Sequence, residues 1–366
     1  MLSKRQFLQA AGVTIANQLK VSGADPAESA RKVIIVTFGG GVRYAETFTR
    51  EGLRNIPRLA ALQGQGYFYR DCRNLGVLSH FNSTASIVTG QWQRVDDFGF
   101  QPPASTTIFE AYRKQRKANP QDAWAICTNK SFANISGAAG ANVVLPKQLL
   151  LEAVKDVVRR GEGLGVADRD NVQRRLASIL QEGYEGVGWT VFKGGRSLDQ
   201  KVQRTLTHAL VEYINGPEAP ASGDELTFFI AREVMREFSP RLILVNFWDM
   251  DVAHWGAYSL YLQAVTRTDR LTGMLWDEVQ ANPAYRDRTT MLVLPELGRD
   301  GDINTANGFL NHRSGDASCR NMWMLALGAG KGETEQPVAH IDATATAARM
   351  LEIPFECAGR PLPGIS

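Results

Sequence analysis

Two short apolar runs constrain this chain more than any other feature. RLILVNF (241–247) and TTMLVLP (289–295) are continuous, rich in branched side chains and too short for helices. Such runs read as strands buried on both faces, the mark of a parallel sheet covered by helices. Polar residues follow each at once: Asp249, Asp251 and His254 after the first, Glu296 after the second, with His312 further on. Open α/β sheets carry their sites just there, beyond the carboxyl ends of the strands.

The rest of the chain fits the same plan. KVIIVTF (32–38) is a third buried run, and it stops at Gly39, Gly40 and Gly41. Consecutive glycines at a strand end mean a tight turn or a close backbone approach. GYFYRDCRNLG, AWAICT and MWMLALG supply further strands. Asn55-Ile56-Pro57 opens a helix carried by Leu59 and Leu62. SHFNSTASIVTGQ predicts a helix starting after the Ser79-His80 turn, where free N–H groups can face an anion. Tyr261, Val265, Thr268, Leu271, Leu275 and Val279 keep helical spacing over about 260–280, and Asp342 is an N-cap for the last helix. Between about 129 and 240 the helical stretches 147–160, 170–182, 198–214 and 223–237 read as a helical insertion over the sheet. His208 lies off the apolar stripe of its helix and reads as a surface residue, and His340 as a surface or capping one. The expected fold is therefore α/β, a central, mostly parallel sheet flanked by helices, with a helical insertion.

Composition excludes some classes. A net charge of +3 over 366 residues gives no case for nucleic acid. The basic run Arg113, Lys114, Arg116, Lys117 reads as the solvated end of a helix. No apolar run reaches the length of a membrane span. The four cysteines lie far apart without a CxxC, which argues against a thiolate zinc site or a disulfide framework, though a single disulfide stays open. Residues 1–20, MLSKRQFLQAAGVTIANQLK, resemble a twin-arginine export signal with Lys4 in place of the first arginine. That makes residues 1–31 a signal and linker and 32–366 the folded domain of an exported, periplasmic protein. The alternative is a short amphipathic helix on a cytoplasmic one.

In order, VIIVTFGGGVR, SHFNSTASIVTG, DMDVAHWGAY, LPELGRDGD, NHRSGD and HIDATATAARMLEIP resemble the alkaline phosphatase superfamily. That group includes sulfatases, nucleotide phosphodiesterases and cofactor-independent phosphoglycerate mutases. The resemblance implies two divalent metals about 4 Å apart clamping a phosphoryl or sulfuryl group, or one calcium-type ion in sulfatases. It also implies a nucleophile at the start of the helix that ends in Thr89-Gly90. Carried over residue by residue, the pattern departs from the family. The first metal-binding Asp falls on Gly39, leaving a hole where that carboxylate stood. The nucleophile position falls on His80, and the Asp-His pair becomes Glu296-Leu297. The other metal keeps Asp251 or Asp249, together with His254 and His312. The family's four-residue step from Asp to His is five from Asp249 and three from Asp251, so either carboxylate can be the ligand.

These residues imply one divalent metal (Zn, Mn or Fe), or none. His80 stands as a fourth ligand, a base or a phosphoryl acceptor, and Glu296 as a further site residue or the partner of Arg299 or Arg313. Arg313, Arg43 and Asn82 are the candidates to hold an anion. Two functions follow. One is a metal-dependent hydrolase of phosphate or sulfate esters, with a small anionic ester as partner. The other is an inactive pseudoenzyme serving as a binding or structural subunit of an exported assembly, with a protein partner.

Overall fold

The branched residues of the apolar runs form strands because a pleated, doubly covered surface suits their stiff side chains. A computed structural model describes residues 30–150, 202, 205, 206, 222–302 and 308–365. The export signal, the helix expected over 170–182 and His208 lie outside these residues, as does most of 198–214. Among the described residues, one sheet comprises Lys32–Phe38 (β1), Tyr67–Arg73 (β2), Ala123–Cys127 (β3), Asn142–Val144 (β4), Leu242–Phe247 (β5), Thr289–Pro295 (β6), Asn321–Leu327 (β7), Gly332–Thr334 (β8) and Val338–Ala339 (β9). Its order is β4-β3-β5-β1-β6-β7-β2-β8, with β9 also paired to β2. β1 lies between β5 and β6 and is parallel to both, while β7 runs antiparallel to β6 and β2. The carboxyl ends of β1, β3, β5 and β6 therefore share one edge.

Every residue of β1, β5 and β6 is buried. Alternate residues feed two apolar layers. Ile34, Val36, Ile243 and Val245 pack with Pro57–Gln63 (α1), Gly223–Phe238 (α4) and Tyr258–Ala281 (α5). Val33, Ile35, Leu242 and Leu244 pack with His80–Thr89 (α2), Ile108–Arg116 (α3) and Asp342–Met350 (α6). The residue before α1, Ile56, cannot cap it, so Asp269 of α5 does, accepting from the backbone N–H groups of Arg58 at 2.9 Å and Leu59 at 2.8 Å. Among the described residues no helix is long and apolar enough to cross a membrane.

The chain leaving β5 is pinned by Asp224, in the first turn of α4 and fully buried. Its carboxylate accepts from the N–H groups of Trp248 at 2.7 Å and Asp249 at 2.9 Å and from Thr128 Oγ1 at 2.8 Å. Asp224→Ala should cost about 2–4 kcal/mol, because it strands two backbone donors and a hydroxyl away from water. Urea melts check this. Burial, then the charge of Asp249, pushes the Asp224 carboxyl up to about 7. The folded chain thus holds a proton that the unfolded chain has already released. Stability from this group should fall as pH rises from about 4 to about 7. The alanine variant should lose that slope.

Several features differ from the sequence reading. Within 129–240, a 3-10 turn at Lys130–Asn134 is followed by β4, an edge strand parallel to β3. β8 and β9 carry too few residues to show a period. His340 is fully buried rather than at the surface, stacked on Trp92 with ring centroids 5.1 Å apart. Burial lowers its imidazole to about 3, so it stays neutral. All four cysteines are free.

Candidate metal centre

Four side chains from three parts of the chain converge at the carboxyl edge of the sheet. His80 opens α2 after Ser79, whose extended backbone turns the chain into the helix. Asp251 and His254 lie one 3-10 turn apart on Asp249–Trp255, directly after β5. His312 comes from the loop after β6. One candidate ligand atom from each of His80, Asp251, His254 and His312 lies within 4.8 Å of the others. This group can hold a metal ion. His80, Asp251 and His312 are buried and His254 is partly open to solvent.

Asp251 is the hub. Its Oδ1 lies 3.2 Å from His254 Nε2, 3.3 Å from His80 Nε2 and 3.2 Å from Arg299 Nη2. His254 Nε2 faces His312 Nε2 at 3.1 Å. Burial would raise the Asp251 carboxyl. The hydrogen bonds of His254 and His80, with the charge of Arg299, instead hold it well below the usual carboxylate range. Arg299 is itself fully buried, and it also donates to the carbonyls of Gly40 and, at 3.1 Å, Gly41.

Beside the cluster, Glu296 is enclosed by donors. Oε1 accepts from Gly40 N at 2.9 Å and meets His80 Nδ1 at 2.5 Å. Oε2 accepts from Thr84 Oγ1 at 2.7 Å and Asn246 Nδ2 at 3.3 Å. Glu296 therefore pairs with neither Arg299 nor Arg313. Nor is there a hole at Gly39: a Cβ there would overlap the carbonyl oxygen of Phe247. Leu297 fills the remaining position, packing against Gly41.

The other candidates have different partners. Asp249 lies outside the cluster, its Oδ2 3.0 Å from Arg267 Nη1. Arg43 is buried on Glu46, and its Nη1 reaches Asp302 at 2.7 Å. Asn82 ties α2 to the following loop, donating to Asp97 Oδ1 at 2.9 Å and accepting from Val95 N at 2.7 Å. Arg313 reaches the same Asp97 at 2.8 Å from a partly exposed position. Sequence reasoning missed Arg299 as the partner of Asp251, and missed Thr84 and Asn246. Only Asn246 had a signal, as a polar residue inside an otherwise apolar strand.

No family model and no curated protein matches the sequence. The structure does have counterparts. Alkaline phosphatase PafA overlays 94% of this chain and 100% of its own at a TM-score of 0.58 and 12% identity. This is the alkaline phosphatase fold. A phosphonate monoester hydrolase from Silicibacter pomeroyi shares it over 91% of this chain and 76% of its own, at a TM-score of 0.54 and 12% identity. So does the lipoteichoic acid synthase LtaP from Listeria monocytogenes, over 94% and 77%, at a TM-score of 0.55 and 11% identity. In an alkaline phosphatase-like fold the carboxyl edge carrying this cluster is the place for a site.

Proposed function

We propose that this chain binds one divalent cation through His80, Asp251, His254 and His312 and hydrolyses a phosphate or sulfate ester. The observation carrying this is the convergence of one ligand atom from each of these four side chains within 4.8 Å, with His254 Nε2 facing His312 Nε2 at 3.1 Å. An ionised carboxylate only accepts, and facing ring nitrogens need a proton or a cation between them. Three imidazoles and a carboxylate suit Zn²⁺, Mn²⁺ or Fe²⁺. The cation would supply charge to polarise an ester oxygen. Glu296 orients His80: the carboxylate accepts from Nδ1, which turns Nε2 toward Asp251. Arg299 steadies Asp251. Among the described residues a second cation finds no matching ligand set, since Glu296 is already held by four donors and its neighbours are Gly39 and Leu297.

A second reading, an ion-binding protein without turnover, is favoured by the hydroxyls of α2. Thr84 Oγ1 donates to Glu296, Ser83 Oγ donates to the Val77 carbonyl, and Ser79 Oγ accepts from Asn82. Thr84 and Ser83 thus commit their protons to acceptors outside the four-residue cluster. Two measurements separate the readings. Protein purified without chelator should carry about one equivalent of metal, and a His254→Ala, His312→Ala double variant should carry almost none. Equal, negligible content in both would remove the metal reading. The wild type, but not the variant, should cleave p-nitrophenyl phosphate, its bis-ester or p-nitrophenyl sulfate. Failure on all three with metal bound would favour the binding protein.

We place the mature protein outside the cytoplasm, on the export-like pattern of residues 1–20. A reporter fused to residues 1–31 should be exported, and changing Lys4 and Arg5 to Gln should retain it inside the cell.

A further inference from the structure

We infer that Trp248 and Asn129 form a two-donor cradle for one oxygen of a tetrahedral oxyanion, a phosphate, phosphonate or sulfate group, beside His80. The inference rests on the one-cation reading above and adds the residues that would bind the anion.

Both residues sit at the carboxyl edge on adjacent parallel strands. Cys127 of β3 is in register with Asn246 of β5, and each donor lies two residues further on. Trp248 is 3% exposed and Asn129 1%. Among the described residues, neither the Trp248 Nε1–H nor the Asn129 Nδ2 amine has a hydrogen-bond partner. Native proteins satisfy nearly all buried donors, so two such groups together call for an acceptor. The Asn129 amide cannot simply turn over, because its Oδ1 already accepts from Ser131 N at 2.8 Å. The indole packs edge-on against His80, with ring centroids 4.4 Å apart. Phe132, in the turn that Asn129 caps, packs on the same indole at 5.6 Å. The two donors thus belong to one wall next to the metal-ligand cluster.

Their chemistry defines the ligand. Indole N–H donates only, and the amine of a fixed carboxamide donates only, so the cradle takes an acceptor and rejects a cation. Fixed neutral donors in a water-poor wall are well suited to an oxygen whose partner oxygen faces a cation. Arg43 and Asn82 are committed to other groups, whereas these two buried N–H groups have no partner among the described residues.

The test uses the full chain with ¹⁵N-labelled tryptophan. It contains seven tryptophans, and Trp248→Phe identifies the Trp248 indole signal. Inorganic phosphate or sulfate added to the zinc-loaded protein should move that signal downfield. Calorimetry should show phosphate affinity falling roughly tenfold to a hundredfold in Asn129→Ala and in Trp248→Phe. Zinc stoichiometry should be unchanged in both. An unmoved indole signal at saturating phosphate, or wild-type phosphate affinity in both variants, would overturn the cradle. So would an indole in contact with solvent water and indifferent to phosphate, a buried water only. If the wild type takes up no zinc, the one-cation reading fails by itself. The indole response to phosphate in the metal-free protein then still decides the cradle.

Discussion

Asp251→Ala should cost about 3–5 kcal/mol of stability and abolish metal uptake, a larger effect than losing either His254 or His312 alone. The reason is Arg299. Both side chains are fully buried, and the guanidinium lies 3.2 Å from the Asp251 carboxylate. Removing the anion leaves a cation away from water with only backbone carbonyls to face. Urea melts of metal-free protein isolate this term from any stabilisation by bound ion. Arg299→Met in the same chain should recover part of the loss, giving a coupling energy of about 1–3 kcal/mol in the double-mutant cycle. If Asp251→Ala melts like the wild type, the pair is not what holds this edge of the sheet.

The second large effect is expected at Gly39. Placing an aspartate there, where the sequence resemblance puts a metal-binding one, should not build a second metal site. A Cβ at that position overlaps the Phe247 carbonyl oxygen and comes within 3.0 Å of Asn246 Nδ2. The neighbouring strand cannot retreat, because β1 and β5 pair in register as far as Phe38 and Phe247. Gly40 follows with φ +78°, and a side chain there would overlap the backbone N of Asp251. Gly39→Asp should therefore lose about 3 kcal/mol or more, from overpacking and the burial of a charge beside Glu296. Metal content should stay at or below one equivalent. A folded Gly39→Asp chain carrying two equivalents would show that the compartment can still open.

Much of this was legible in the sequence, and the reasons are specific. β1, β5 and β6 are strands because unbroken branched residues fit only a doubly covered sheet, so the fold class followed from a few runs. The gathering of His80, Asp251, His254 and His312 followed from the order of the motifs. The choice between Asp249 and Asp251 did not. The three-residue step brings Asp251 and His254 together because the segment winds as a helical turn, whose start is held by Asp224 of a distant helix. Arg299 was equally hidden, since nothing local says which carboxylate a buried guanidinium will meet. The space at Gly39 was misjudged for the same reason: a sequence shows a missing side chain, not the backbone packed against it.

The position of β1 has a consequence for how the molecule is made. Among the described strands it emerges from the ribosome first, yet its neighbours are β5 and β6, more than two hundred residues downstream. Until Thr289–Pro295 has been synthesised, β1 stays without one of its partners, and its open edge can capture another chain. Such long-range pairing slows folding. Most of the chain must therefore be synthesised before the centre of the sheet can close.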